Sequence, residues 1–588
     1  MLPQRSSSVF HNRRPYDHRV TAATLQAVST SPAPGQPARQ APPALTGWRP
    51  ESAARSWLWT LLVTAVAAGT RFWSLGFPEG KSFDEVYYAV EAQEMLRFGY
   101  EDNRGYMFIV HPPLGKWLIA VTSWMFGDDA VGWRAAPAIA GTVSVLILAR
   151  LAQRMFRSVI LGVLAGSLLA LDGISLVMSR VALLDIFLQT FILAGFAALV
   201  IDRDQMRARL GSLYAAGVDL SHGAPRLGPR PWRLAGGLLF GLAVAVKWSA
   251  LSYWLAFALL SVLWDRGAFK SAGVEQPWFA TFKRSVPAAL GSLLAVPVLA
   301  YLLSWTGWFV GENSWNRHWG DTHPGTGLFS LLPSSLRSLL NYHHQAYVFH
   351  SHLFDPHAYK ANPWSWLVLG RPTSFYAPSN VTGCGAPSCT REILLIGTPL
   401  MYWAFVPALI WCLWHWATTR DWRAGAVWLA FLAGWGVWLQ NTRRTGFLFY
   451  MTPLMPFLVL GLTFAVGAML ARAAEDEVAT AHAGEPVRQP AGGGYQAGGG
   501  YQDSAHGIHQ AVSDSGDEIE GAGEPRTVGL REWIALHGIP TARLVRTGAV
   551  ALWLGAVVAD FVWMWPIFTG GLLTNHDWQL RMWLPGWI

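Results

Sequence analysis

The sequence predicts an all-α polytopic membrane protein with about eleven spanning helices, and three observations carry that reading. Hydrophobic residues make up 52% of the chain and charged residues only 14%, whereas soluble domains carry about 25% charged residues. The apolar residues gather into runs of membrane length, and lipid tolerates only helices or closed barrels because the backbone must satisfy its own hydrogen bonds. The short alternating segments of a barrel are not the pattern seen. Lys and Arg also cluster between alternate runs, as loops retained on the cytoplasmic side do.

The spans fall near residues 57–76, 132–150, 159–178, 182–201, 233–249, 250–264, 285–304, 393–414, 424–440, 446–470 and 546–567. With the Arg-rich N-terminus inside, Arg150, Arg154 and Arg157 lie inside too, as do Arg203, Arg207, Arg209, Lys270, Lys283 and Arg284. Two long loops, residues 77–131 and 305–392, then fall outside. Their Trp, Tyr, His and Pro suit packed structure at the membrane interface and mark the working face.

Four regions follow. Residues 1–55 read as a disordered cytoplasmic tail, with no apolar core near the start and therefore no cleavable signal peptide expected. Residues 56–471 form the transmembrane catalytic domain. Residues 472–543, with Ala491-Gly-Gly-Gly-Tyr-Gln repeated from Ala497, bury too little apolar surface to order and read as a disordered cytoplasmic insert. Residues 544–588 hold the last spanning helix and an extracytoplasmic C-terminus. The net charge of +8 follows from loop topology, so no nucleic-acid partner is expected.

Chemistry is expected first at Asp84 and Glu85, adjacent carboxylates just past the first apolar run. Ser82-Phe83-Asp84-Glu85 has capping-box spacing, so a well-capped helix through Tyr87, Tyr88, Met95 and Leu96 competes with a functional role. His111-Pro112-Pro113-Leu114-Gly115-Lys116 reads as a stiff start to an interfacial helix over Leu114, Leu118, Val121 and Met125. Lys247 and Arg180 stand at the outer ends of spans, where an ionisable group is a functional candidate and snorkelling is the plain alternative. Arg443 and Arg444 occupy a short outer loop against the positive-inside trend, and a lipid phosphate is an apt partner.

His343, His344, His350, His352 and His357 cluster in the second outer loop without the carboxylates that complete a familiar metal site, so hydrogen bonding to sugar or peptide, or packing at the interface, is expected of them instead. A divalent metal at Asp84 and Glu85 is conceivable, but no metal or other cofactor is expected to be required. Cys384 and Cys389 are disulfide candidates outside the membrane.

Taken together, Phe83-Asp84-Glu85-Val86-Tyr87-Tyr88, His111-Pro112-Pro113-Leu114-Gly115-Lys116, Ser179-Arg180-Val181-Ala182-Leu183-Leu184-Asp185, Val246-Lys247-Trp248, Asn341-Tyr342-His343, Asn362-Pro363-Trp364-Ser365-Trp366 and Trp583-Leu584-Pro585-Gly586-Trp587-Ile588 resemble the protein O-mannosyltransferase family, in its actinobacterial branch. The resemblance implies the GT-C fold of membrane glycosyltransferases. It implies inverting transfer of one mannose from polyprenyl-phosphate mannose to Ser/Thr hydroxyls of exported proteins, during translocation, at the extracytoplasmic face of the cell membrane. An acid of the first outer loop, Asp84 with Glu85 beside it, would act at the acceptor.

A lipid phosphodiester leaves as an anion, so it needs neutralisation, which Lys247, Arg180, Arg134, Arg443 or Arg444 can supply. An aliphatic hydroxyl needs its proton removed, which one carboxylate can do. Tyr88, His111, Lys116, His343, His344 and Trp364 are the expected acceptor or sugar contacts. The rival readings are a GT-C transferase with a lipid or glycan acceptor and a non-catalytic transporter of the polyprenyl-linked sugar.

Overall fold

The computed structural model describes residues 41–46, 50–102, 110–221, 223–483 and 541–588. Helices dominate. Six of them among the described residues are long and apolar enough to cross a membrane: Ala130–Phe156, Asp185–Ala215, Pro277–Ser304, Pro399–Thr419, Leu448–Ala471 and Leu544–Thr569. The other expected spans are helical as well. They are α1 (Ala53–Phe72), Val159–Ala170 with Gly173–Met178, Pro231–Val246, Ala250–Ser271 and Trp422–Trp435.

Local chemistry sets the helix ends. Ser52 caps α1 by accepting the Arg55 N–H, and Asp129 caps Ala130–Phe156 by accepting the N–H groups of Val131 and Gly132 at 2.9 Å. The helix Pro277–Ser304 widens into π turns at Thr281–Ser285 and Gly291–Ala295, each just ahead of a Val-Pro pair. Pro287 and Pro297 lack the N–H that the ladder needs, and their rings push the preceding turn aside. Pro231–Val246 approaches this helix closely through Gly237 and Gly241, where a Cβ would lie 1.8 Å from the Ser292 carbonyl oxygen and 2.7 Å from the Pro297 backbone. That is small-residue packing of the kind lipid-embedded helices use.

One span boundary is corrected. The span expected from Ile393 begins instead at Pro399, because proline suits the first helical turn and holds the residue before it extended. Ile393–Leu395 is a strand paired antiparallel with Thr373–Tyr376, with Thr373 opposite Leu395. Cys389–Arg391 pairs likewise with Leu572–Thr574, and Cys384 and Cys389 are joined by a disulfide. Two small sheets thus qualify the all-α expectation.

The helix Met455–Ala483 runs past residue 472, where the insert is expected to begin, and residues 484–540 lie outside the described residues. Of the tail expected over 1–55, residues 1–40 also lie outside them. Leu45, however, is buried against Met206 and Leu210, and Arg207 donates to the Ala44 carbonyl at 2.9 Å.

The functional end is built from loops. Between α1 and Ala130–Phe156 stand α2 (Glu85–Phe98) and α3 (Leu114–Phe126). α3 starts directly after Pro112-Pro113, as their fixed backbone favours. The second loop contributes the helix Ser334–Ser351. The two loops touch where His350 bonds the Val110 carbonyl at 2.8 Å, and Arg371 ties the C-terminus to the second loop through the Gly586 carbonyl at 2.8 Å.

Candidate functional site

Asp84 owes its position to its neighbours on either side. Phe83 adopts a left-handed backbone, φ +52°, which is uncommon for a bulky residue. Its ring is held edge-on by Phe375, Phe447 and Phe449 at 5.1, 5.6 and 5.8 Å. The chain then turns into α2, with the Asp84 carbonyl accepting the Tyr87 and Tyr88 N–H groups at 3.0 and 3.1 Å.

The two adjacent acids separate completely in their surroundings. Glu85 is fully buried and accepts from Arg134 Nε at 2.8 Å, Arg134 Nη2 at 2.7 Å, Ser82 N–H at 2.8 Å and Ala182 N–H at 2.7 Å. Four donors fill the four acceptor sites of a carboxylate. The capping-box spacing is thus realised in part, by Glu85 reaching back to the Ser82 N–H. Asp84, half-buried, has no side-chain hydrogen bond or ion pair among the described residues. Burial pushes its carboxyl up to about 6, with Lys247 opposing the shift and Asp185 adding to it.

Of the expected phosphate ligands, Arg134 and Arg180 are already engaged. Arg134 is fully buried and also donates to the Pro78 and Gly80 carbonyls at 2.7 and 3.0 Å. The Arg180 guanidinium closes the end of α1, donating to the carbonyls of Thr70 and Arg71 at 3.3 Å, of Ser74 at 3.4 Å and of Trp73. It neutralises the negative end of that helix rather than facing outward.

Lys247 is placed differently. Pro231–Val246 stops one residue before it and Ala250–Ser271 begins three after, so Lys247 sits in an extended break, φ −158°, ψ 136°. Its Nζ lies 3.0 Å from both carboxylate oxygens of Asp185 and 5.0 Å from the Tyr450 ring centre. Arg444 has no carboxylate partner among the described residues. It donates to the His350 carbonyl at 2.9 Å and lies 3.3 Å from the Tyr450 hydroxyl and from His350 Nδ1. Arg443 is exposed, and its carbonyl accepts from Lys360 at 2.7 Å.

His111 stacks on His350 with ring centres 5.1 Å apart, and Tyr88 lies 6.1 Å from His111. Burial holds both imidazoles below their usual range, His350 down to about 4, and the surrounding cations add to it. His350 Nε2 meets a carbonyl and Nδ1 meets an arginine, so the neutral ring carries its proton on Nε2.

The remaining candidates lie apart from this cluster. Lys116 is fully buried, its Nζ 2.6 Å from Glu101 and 3.1 Å from Glu91. His343 has both ring nitrogens occupied, by the Leu339 carbonyl at 2.6 Å and the Tyr301 hydroxyl, and stacks on Trp248. His344 is exposed, and the exposed Trp364 packs on Trp435. His343 and Trp248 edge an apolar groove of about 450 Å³ with Val244, Leu251, Pro297 and Tyr301.

Sequence reasoning assigned no individual role to Asp185, His350 or Tyr450. Asp185 carried a usable signal, an acid at the start of an apolar span, the same feature that singled out Arg180 and Lys247. His350 was visible only as one of five histidines, and Tyr450 as an aromatic among many. Among the described residues no three His, Cys, Asp or Glu side chains come together as a metal-holding set.

Residues 61–306 match the family profile described as dolichyl-phosphate-mannose-protein mannosyltransferase. The polyprenol-phosphate-mannose–protein mannosyltransferase of Mycolicibacterium smegmatis (strain MKD8) is 36% identical over 92% of this chain and 94% of its own length. That of Mycobacterium tuberculosis (strain H37Rv) is 34% identical over 91% and 92%. The fold is similar to that in the S. cerevisiae protein O-mannosyltransferase Pmt1-Pmt2 complex bound to the sugar donor, with TM-score 0.64 and 15% identity over 95% of this chain and 96% of that one. With relatives this similar along nearly its whole length, the chain belongs to the polyprenol-phosphate-mannose–protein mannosyltransferases, a family of membrane glycosyltransferases.

Proposed function

We propose that this protein transfers a single mannose from polyprenyl-phosphate mannose to Ser/Thr hydroxyls of exported proteins during their translocation, with inversion and with Asp84 as the general base. The observation that carries the assignment is the contrast between neighbours. Glu85 has its acceptor sites filled by Arg134 and two backbone N–H groups, while Asp84 keeps an unengaged carboxylate whose affinity for a proton is raised by burial.

The acceptor oxygen attacks the anomeric carbon as its proton passes to Asp84. The bond from that carbon to the phosphate oxygen breaks, and its electron pair leaves on polyprenyl phosphate. Lys247 and Arg444 face the developing charge, Arg443 guides the phosphate from the exposed rim, His111 stays neutral to hydrogen-bond the sugar, and His350 orients Arg444. Arg134, Arg180 and Glu85 serve as framework. The polyprenyl chain lies in the groove beside Trp248. Neutralisation by fixed cations leaves no step that requires a metal, so activity persists in EDTA. The site faces the extracytoplasmic side and the N-terminus the cytoplasm, following the distribution of Lys and Arg.

Membranes containing the protein are incubated with radiolabelled polyprenyl-phosphate mannose and a Ser/Thr/Pro-rich peptide. Labelled peptide, lost in Asp84→Asn, is the expected result. Labelled glycolipid without labelled peptide, or donor movement across the membrane without turnover, would contradict the reading.

A further inference from the structure

The mechanism above gives no role to Asp185, a buried acid that pairs with Lys247. Asp185 is 3% exposed and opens the helix Asp185–Ala215, a position where the positive helix end steadies a carboxylate. Both of its oxygens lie 3.0 Å from Lys247 Nζ, and the Tyr450 ring lies 5.0 Å from the same nitrogen. Lys247 needs such a seat, because it stands in a break between helices on a long flexible stem that nothing in its own backbone orients. An anion beside a phosphate-binding lysine opposes donor binding, so affinity for the donor alone does not account for it.

We propose that Asp185 is a positioning residue: it fixes the Lys247 ammonium between Asp84 and the place of the departing phosphate, and its own charge strengthens Asp84 as a base. The inference rests on the reading of Asp84 and Lys247 given above. Among the described residues the ionisable groups around Asp84 are Lys247 and Asp185, with Tyr88 on α2, and His357 beyond Phe83. His111, His350, Arg444 and Tyr450 surround Lys247. Of these, Asp185 and Lys247 act on Asp84 with opposite sign.

That opposition gives a readout that a purely structural ion pair does not share. Mannosyl transfer to the Ser/Thr peptide is measured against pH and donor concentration for wild type, Asp185→Asn, Asp185→Glu, Lys247→Met and the double variant Asp185→Asn/Lys247→Met. Asp185→Asn lowers kcat by about 10- to 100-fold with donor KM within about threefold, and moves the acidic limb of kcat/KM to lower pH. Lys247→Met raises donor KM about tenfold or more and moves that limb to higher pH. Asp185→Glu recovers much of the lost kcat. The double variant leaves no lone buried charge and keeps the test open if a single variant fails to fold. Because Asp185 acts on the phosphate through Lys247, the double variant has donor KM no higher than Lys247→Met.

Wild-type kcat in Asp185→Asn, limbs moving in the same direction in the two single variants, or a double variant with donor KM well above that of Lys247→Met would overturn the inference. Failure of the wild-type protein to label peptide would instead overturn the reading beneath it.

Discussion

Glu85 and Arg134 form a fully buried two-point pair, Nε to Oε1 at 2.8 Å and Nη2 to Oε2 at 2.7 Å, across 49 residues of sequence. Arg134 uses its remaining donors on the Leu75, Pro78 and Gly80 carbonyls, so the pair staples the first loop to the start of Ala130–Phe156. Removing one partner leaves a buried uncompensated charge, at a cost of about 3–5 kcal/mol. Glu85→Ala and Arg134→Ala should therefore lower the Tm in detergent markedly, whereas Asp84→Asn should not. Differential scanning fluorimetry of the three variants checks the distinction.

The raised Asp84 carboxyl sets a pH dependence with two signs. As a base Asp84 works ionised, so kcat/KM should climb with pH and reach half its plateau near pH 6. Stability runs the other way. A carboxyl whose value is raised on folding contributes stability below its unfolded value, near 4, that is lost as pH rises through about 6. Asp84→Asn should match wild type in stability near pH 4 and exceed it above pH 6, by up to about 3 kcal/mol. Unfolding measured at both pH values, with a wild type that is equally or more stable at pH 8, would count against the placement.

The cations separate by task. Among the described residues Arg444 meets only neutral groups, so Arg444→Ala should raise donor KM about tenfold, as loss of a charge-assisted contact does. Arg180→Ala, which uncovers the last carbonyls of α1, should lower Tm and leave donor KM within about threefold. Donor titrations on detergent-purified variants distinguish the two.

Lys116 holds two carboxylates, the buried Glu91 and the part-buried Glu101. Burial raises Glu91 to about 8 even with Lys116 beside it opposing the shift. Without the lysine that value rises further, so the neutral acid is favoured at low pH and ionisation becomes costlier as pH rises. Lys116→Met should therefore be less destabilising at pH 5 than at pH 8, as comparison of Tm across that range would show.

The architecture was largely legible because lipid makes span length and loop charge into hard constraints. The helices α2 and α3 were legible for local reasons, the carboxylate three after Ser82 and the paired prolines before Leu114. What escaped the sequence was pairing at long range. Nothing local distinguishes Arg134, joined to Glu85, from Arg444, which among the described residues meets only neutral groups. The partners that decide their fates stand 49 and 94 residues away. Asp84 and Glu85 were indistinguishable for the same reason. The strand at Ile393 was hidden because a short apolar run ahead of a helix has no period of its own, and its partner, Thr373–Tyr376, lies in the loop before it.

The central claim is tested most directly by the rate of mannosyl transfer from labelled polyprenyl-phosphate mannose to a Ser/Thr peptide by Asp84→Asn, purified and shown to be folded. The account predicts a kcat about 10²- to 10⁴-fold below wild type with donor KM little changed. A folded Asp84→Asn protein that glycosylates peptide at the wild-type rate would contradict it.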